Sequence, residues 1–418
     1  MTEIFARIGL RSIPQLYNVA SMNIVQEKIL QAIALLKQDT SDTPIDCWLT
    51  FARETSQVHD PAIDLILGFG VTWDSAFLIT RGGEAIAIVG RFDGDNVRKL
   101  NAYTQVLTYD QGIGDVLRET LARIAPKHVG LNYSLSSSSA DGLTHGMFLR
   151  LQTMLGDIVP PDGWVSAENI VRRLREKKSP SELELIIDVT HRTEQVYAEM
   201  FKLPVVGMSE KEIHHAVGDI VTRYGCSFAG ERINNPIVNA GPNSSIGHGI
   251  PSDLKVEPGQ ILHYDMWLER EGYCSDLQRV CYVRRAGETD APEIVKRAWS
   301  ACWIALEAGK AALKPGVAAY EVDTVAREAL MECGYPEYMH AFGHHVGKRV
   351  HDGGSVLGPR WDRYGDMPYK PIEQGSIFTL ELGVIVEDYG YIGIEEMVVV
   401  TDTGNNYLST PQKDLVML

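Results

Sequence analysis

The chain contains no Cys-x-x-Cys pair. Its six cysteines, Cys47, Cys226, Cys274, Cys281, Cys302 and Cys333, are scattered, so neither a zinc knuckle nor a disulfide framework is signalled and reduced thiols, mainly in the core, are expected. Positive charge is also short: 39 Lys and Arg stand against 55 Asp and Glu, a formal net charge of −16. Phosphate binding needs a basic face, so this balance argues against a nucleic-acid partner. No apolar run approaches the roughly eighteen residues of a membrane span, and the opening MTEIFARIGLRSIPQ lacks a basic flank followed by an apolar stretch. A cytoplasmic protein without a membrane partner is expected. There is no P-loop, GFG at 68–70 is too short for a dinucleotide fingerprint, and no G-x-S-x-G elbow surrounds the serine-rich SLSSSSADG (134–142). That stretch reads as a loop and the start of the next helix. With 418 residues the chain can bury a core without metal or disulfide staples, so any metal site would serve function rather than folding.

What is present divides the chain in two. Apolar residues fall at helical spacing from Ile24 to Lys37, and IDCWLTF (45–51), SAFLIT (75–80) and EAIAIVGRF (84–92) read as strands. Helical patterns return at 113–124 and around 142–155. These imply an α/β N-terminal domain over residues 1–165, a boundary at VPPDGW (159–164), and an α+β C-terminal domain over 166–418. The second domain opens on a long helix, with Ser179 as N-cap, Pro180 in the first turn and Glu182 completing a capping box. It then reads twice. A helix, LPVVGMSEKEI (203–213), a second helix and RYGC (223–226) are matched by a helix from about Pro292, LKPGVAAYEV (313–322), another helix and ECGYP (332–336). The matched order points to duplication, with a site at the interface of the two halves.

Each half ends in a strand pair bearing two acids. In ILHYDMWLEREGYCSDLQRVCYV (261–283) a two-residue turn at Arg270 and Glu271 would set Asp265 opposite Asp276. In SIFTLELGVIVEDYGYIGIEEMVVVT (376–401) a turn centred on Asp388 sets Glu381 opposite Glu395 and directs Glu396 to the other side. Carboxylates opposed at a Cβ separation of roughly 5 Å repel unless a cation or a proton lies between them, and no Lys or Arg alternates with them on those faces. One such hairpin would pass as ordinary cross-strand acids, but two in related halves would not. Between them HAFGHHVGKRVHD (340–352) holds four of the twelve histidines. Four carboxylates and one imidazole form the mixed oxygen and nitrogen environment of manganese, cobalt, zinc or iron. Two such ions bridged by carboxylates would leave a bridging water for hydrolysis.

At these residues the sequence resembles the pita-bread metallopeptidases, the superfamily of methionine aminopeptidase, aminopeptidase P and prolidase, with creatinase as a metal-free relative. The ligand order Asp, Asp, His, Glu, Glu is matched by Asp265, Asp276, His344, Glu381 and Glu395. The resemblance covers the whole chain and implies a creatinase-like N-terminal domain, a pita-bread catalytic domain with internal pseudo-two-fold duplication, two divalent ions with manganese foremost, and a homodimer. It implies that Asp265 binds one metal, that His344 and Glu381 bind mainly the other, and that Asp276 and Glu395 bridge. His248 and His351 match the family's substrate histidines, and His340 an additional active-site histidine. His345 takes no role, and His214, His215 and His263 are left as structural or surface residues. Gly343 and Gly347 would let the backbone bend close to the metals. Two positions depart from the pattern: Leu382 stands in place of the usual proline, and Gly393 in place of an arginine that would orient nearby carboxylates.

The activity so implied is removal of the N-terminal residue from short peptides, with proline after the scissile bond. Glu381 would move the proton, and His248, His340 and His351 would bind the substrate and stabilise charge. Two alternatives are carried beside it. One is metal-dependent hydrolysis or lysis of a small non-peptide metabolite on the same scaffold, and the other a binding protein without catalysis.

Overall fold

The computed structural model describes residues 22–247 and 249–418. They fall into two compact units that part between Arg175 and Glu176.

The first unit begins with α1 (Ile24–Gln38), closed at its start by a capping box between Asn23 and Gln26. Strands β1 (Cys47–Ala52), β2 (Ser75–Thr80), β3 (Ala85–Gly90), β4 (Gln105–Tyr109), β5 (Val129–Leu131) and β6 (Trp164–Ser166) form a mixed sheet in the order β4-β3-β2-β1-β5-β6. The alternation of β1 separates its two layers. Cys47, Leu49 and Phe51 pack with Leu117 and Leu121 of α2 (Gly114–Ile124) and with Leu151 and Leu155 of α3 (His145–Leu155). Trp48 and Ala52 face the other way, toward Ile29, Ala32 and Leu36 of α1 and Ile170, Val171 and Leu174 of α4 (Glu168–Glu176). The apolar stripe of α4 belongs to this core, and so the units part after that helix rather than at 165/166. Residues 134–142 form a loop holding one short 3-10 turn, Ser138–Ala140.

The second unit starts on α5 (Pro180–Met200), where Ser179 N donates to Glu182 Oε2 at 2.7 Å and Glu182 N to Ser179 Oγ at 3.4 Å. The capping box read from the sequence is in place. Then come α6 (Glu210–Arg223), β7 (Ser227–Phe228), β8 (Ile237–Ala240) and the hairpin β9 (Ile261–Arg270) and β10 (Tyr273–Tyr282). The same order of two helices and a hairpin recurs in α7 (Glu293–Ala312), α8 (Ala319–Glu332), β11 (Ile377–Val386) and β12 (Gly390–Val400), followed by β13 (Asn405–Tyr407) and β14 (Val416–Met417). The sheet runs β11-β12-β10-β9-β7, with β8 on β9, β13 on β12 and β14 on β10. Ala298, Cys302 and Leu306 of α7 and Val322, Ala326 and Leu330 of α8 bury its apolar face with Leu380, Leu382, Ile394 and Val398. Among the described residues no helix is long and apolar enough to cross a membrane.

The first hairpin departs from its expected register. Its turn is Glu271–Gly272, with φ of 51° and 74°. Asp265 therefore pairs with Gln278 and Asp276 with Trp267, instead of the two aspartates with each other. A two-residue turn that follows strand twist needs positive φ at both central residues, which suits the glycine and does not suit Arg270–Glu271. The slip is two residues and the side-chain period is also two, so both aspartates remain on one face. The second hairpin keeps its expected register, pairing Glu381 with Glu395 and Leu380 with Glu396.

Candidate metal centre

Gln278 pairs with Asp265 on one side and Glu395 on the other, and Glu395 pairs with Glu381. One row across β9, β10, β12 and β11 thus reads Asp265, Gln278, Glu395, Glu381, with Asp276 two residues along β10 on the same face. The sheet supplies all four predicted carboxylates. The imidazole comes from a segment laid beside β11, where Glu381 N donates to Phe342 O (2.7 Å), Thr379 N to His344 O (2.9 Å) and His344 N to Thr379 Oγ1 (3.1 Å). Its Nε2 lies 3.6 Å from Asp276 Oδ2, 3.7 Å from Glu381 Oε1 and 3.9 Å from Glu395 Oε1. Asp276, His344 and Glu395 offer ligand atoms all within 4.8 Å of one another.

This arrangement is electrostatically costly as it stands. Burial lifts the carboxyls of Asp265, Asp276 and Glu395 well above their ordinary range, and repulsion among the four acids lifts them further. Burial raises Glu381 to about 7. His344 is pushed down to about 3 by burial and by His351, which leaves the neutral imidazole a metal requires. Asp265 Oδ1, Asp276 Oδ1 and Glu395 Oε1 are buried without a hydrogen-bond partner. Buried acceptors are rarely left unpaired, and three of them on one acid face, two on carboxylates next to a neutral imidazole, are what a divalent cation would satisfy. The donor set fits a metal. Glu396, on the opposite side, is answered differently, by Arg279 at 3.1 Å and by Ser409 Oγ at 2.5 Å.

The histidines of the cluster separate. The rings of His351 and His344 meet edge to face, centroids 4.4 Å apart. His340 is exposed, with its ring 5.7 Å from that of Tyr338. Its carbonyl accepts from Arg327 Nη2 at 2.8 Å, and the paired Asp323 accepts from Phe342 N at 3.1 Å, so α8 grips the backbone just before His344. His345 is buried on Phe378 with Nε2 3.0 Å from Ser355 Oγ, a packing role. His248 lies outside the described residues. His263, left as structural by its sequence position, is buried and contacts Gln278. Cys274 is buried with its thiol pKa raised, which suits packing rather than nucleophilic attack. The two glycines have other uses than bending toward metals: a Cβ at Gly343 would overlap the Thr379 carbonyl, and one at Gly347 would overlap Asp352 and crowd Lys178. Gln278 is the residue the sequence reading passed over. It stands two positions after Asp276 on the acid-bearing face, where the pairings with both Asp265 and Glu395 bring it into the row.

Residues 184–402 match the model of metallopeptidase family M24. The chain belongs to this family. Similarity extends to the Xaa-Pro dipeptidase of Pyrococcus horikoshii, 27% identical over 60% of this chain and 67% of that protein. It extends also to the uncharacterized peptidase YqhT of Bacillus subtilis, 26% identical over 66% and 73%. Among solved structures, the X-Pro aminopeptidase from Thermotoga maritima MSB8 superposes with a TM-score of 0.69 at 24% identity, covering 93% of this chain and 99% of that one. The Xaa-Pro dipeptidase from Bacillus anthracis gives 0.72 at 21% identity, covering 94% and 100%. The fold is thus an α/β N-terminal unit followed by the pita-bread unit with its internal duplication, as the resemblance implied. As an M24 member the chain is a metallopeptidase, the family implies divalent metals, and the carboxylate and histidine cluster is the candidate to hold them.

Proposed function

We propose that this M24 peptidase is a dinuclear-metal hydrolase that releases the N-terminal residue of short peptides at Xaa-Pro bonds. The observation that carries the site assignment is the set of three orphaned carboxylate oxygens, two of them on acids that come within 3.6 and 3.9 Å of the neutral His344 Nε2. Bound at Asp265, Asp276, His344, Glu381 and Glu395, two divalent ions, manganese foremost, would supply an acidified water and polarise the scissile carbonyl. Asp276 and Glu395, buried where Asp265 and Glu381 are partly exposed, would serve among the metal ligands. Glu381 is partly accessible and carries the proton toward the leaving nitrogen. His351, set against His344, orients the substrate and stabilises charge, and His340 and His248 share that task. The preference for proline rests on the named relatives, a homodimer on the resemblance, and a cytoplasmic location on the acidic composition.

The test measures release of the N-terminal amino acid from Xaa-Pro and Xaa-Pro-Yaa peptides after chelation and after adding back Mn, Co or Zn, with Asp276→Ala as control. Metal-dependent turnover of either class, lost in the control, is expected. Absence of turnover on both classes would overturn the reading, and cleavage confined to the dipeptide assigns prolidase rather than aminopeptidase activity.

A further inference from the structure

Gln278 occupies the centre of the acid row and carries no charge. Its Nε2 donates to Glu381 Oε2 at 3.3 Å, while its Oε1 lies 2.9 Å from His263 Nε2. His263 Nδ1 is 2.8 Å from Asn239 Oδ1, and the Asn239 amide donates to Ser244 Oγ (3.0 Å) and Ser245 O (2.6 Å). Asn239, His263 and Gln278 are all buried. Burying three polar side chains in line costs stability unless each is paired, and here each lies within hydrogen-bond distance of the next until the line ends on a predicted metal ligand, the single N–H of a neutral His263 serving one of its two amide oxygens.

Gly393 makes the room. It faces Gly383 across the second hairpin, and a Cβ built on it would overlap Gln278 Oε1 and lie 2.6 Å from His263 Nε2. Any side chain at 393 would push the amide off Glu381. The amide fixes one oxygen of that carboxylate, Oε2, and leaves Oε1 turned to His344 Nε2 at 3.7 Å. By contrast, Asp265, Asp276 and Glu395 each keep a buried oxygen with no protein donor.

We infer that Gln278 is a positioning residue for the metal centre: it locks the Glu381 carboxylate with one oxygen toward the metals, held from behind by His263 and Asn239 and admitted by Gly393. This rests on the acid cluster being a metal site. It also assigns a use to the missing side chain at 393. A neutral amide holds the acid by a hydrogen bond without adding positive charge that would compete with a bound cation.

The experiment is calorimetric titration of the chelated full-length protein with Mn²⁺, run on wild type, Gln278→Met, Gln278→Asn, Gly393→Ala and the double variant Gln278→Met/Gly393→Ala. Gln278→Met keeps the volume and loses the hydrogen bonds; Gln278→Asn keeps an amide too short to reach. Both are expected to weaken Mn²⁺ binding by about 10- to 100-fold, while the metal-free proteins still fold and melt cooperatively, at a somewhat lower temperature for the lost pairing. Gly393→Ala is expected to weaken it alone and to add nothing in the Gln278→Met background. Folded Gln278→Met and Gln278→Asn proteins that bind Mn²⁺ within twofold of wild type would overturn the positioning role, as would additive losses in the double variant. A wild type that binds no Mn²⁺ would overturn the metal reading itself, a separate outcome.

Discussion

Asp276 is paired with Trp267, not with Asp265. The two aspartates meet on a diagonal of one sheet face, where the repulsion between them is left for something other than protein to relieve. With the metal absent, replacing Asp276 by the neutral isostere should therefore help the fold. Asp276→Asn is expected to raise the stability of the chelated protein by about 1–3 kcal/mol, while abolishing metal-dependent peptide cleavage. Urea unfolding of both proteins in excess chelator, with turnover after metal return, checks both halves.

Metal should act on the fold through the same cluster. A ligand that binds only the native state stabilises it by about 2.7 kcal/mol at a hundredfold excess over its dissociation constant. The melting temperature of wild type is expected to rise with added Mn²⁺ in proportion to the logarithm of its concentration, and that of Asp276→Asn to rise far less. Scanning calorimetry over a Mn²⁺ series reads this directly.

Arg279 and Glu396 form an ion pair at 3.1 Å with both side chains almost wholly inaccessible. Removing only the cation leaves a buried carboxylate. Arg279→Met is expected to cost about 3–5 kcal/mol, seen as a lower urea midpoint with an unchanged slope.

In the first unit Asp60 is buried against Asn132 Nδ2 at 3.0 Å and accepts from Ala62 N at 2.9 Å. Burial dominates these bonds and raises its carboxyl from 3.8 to about 6. The native state then holds a proton that the unfolded chain releases as pH passes 3.8. Its contribution to stability is therefore fully present below that value, falls by about 3 kcal/mol up to pH 6, and is flat above. The stability of wild type relative to Asp60→Asn should fall across that window; equal pH profiles would contradict it.

Much of this was legible in the sequence because its signals are local. The Ser179 and Glu182 capping box, the Glu381 and Glu395 pairing and the separation of Glu395 from Glu396 all follow from spacing, and all are found. The first hairpin lies two residues away from the register that a turn at Arg270 and Glu271 would give, because Gly272 carries the conformational requirement. That shift leaves the face of both aspartates unchanged, since an even slip preserves side-chain direction. Gln278 was not legible, because its meaning depends on two strand pairings at once and on an empty Cβ at Gly393. Nor was the grip of Arg327 on the His340 carbonyl, a contact between a helix and a loop that no spacing rule announces.

Glu395 and Glu396 are neighbours with opposite fates, one turned to the acid row and the other to Arg279. Deleting a single residue between Gly390 and Ile394 would bring Glu396 into the acid row and turn Glu395 to the opposite face, into the place Ile394 holds against Leu382. Strand length is therefore as much a part of the centre as ligand identity. An alignment of this hairpin that matches the glutamates but admits a gap ahead of them would compare residues on opposite faces of the sheet.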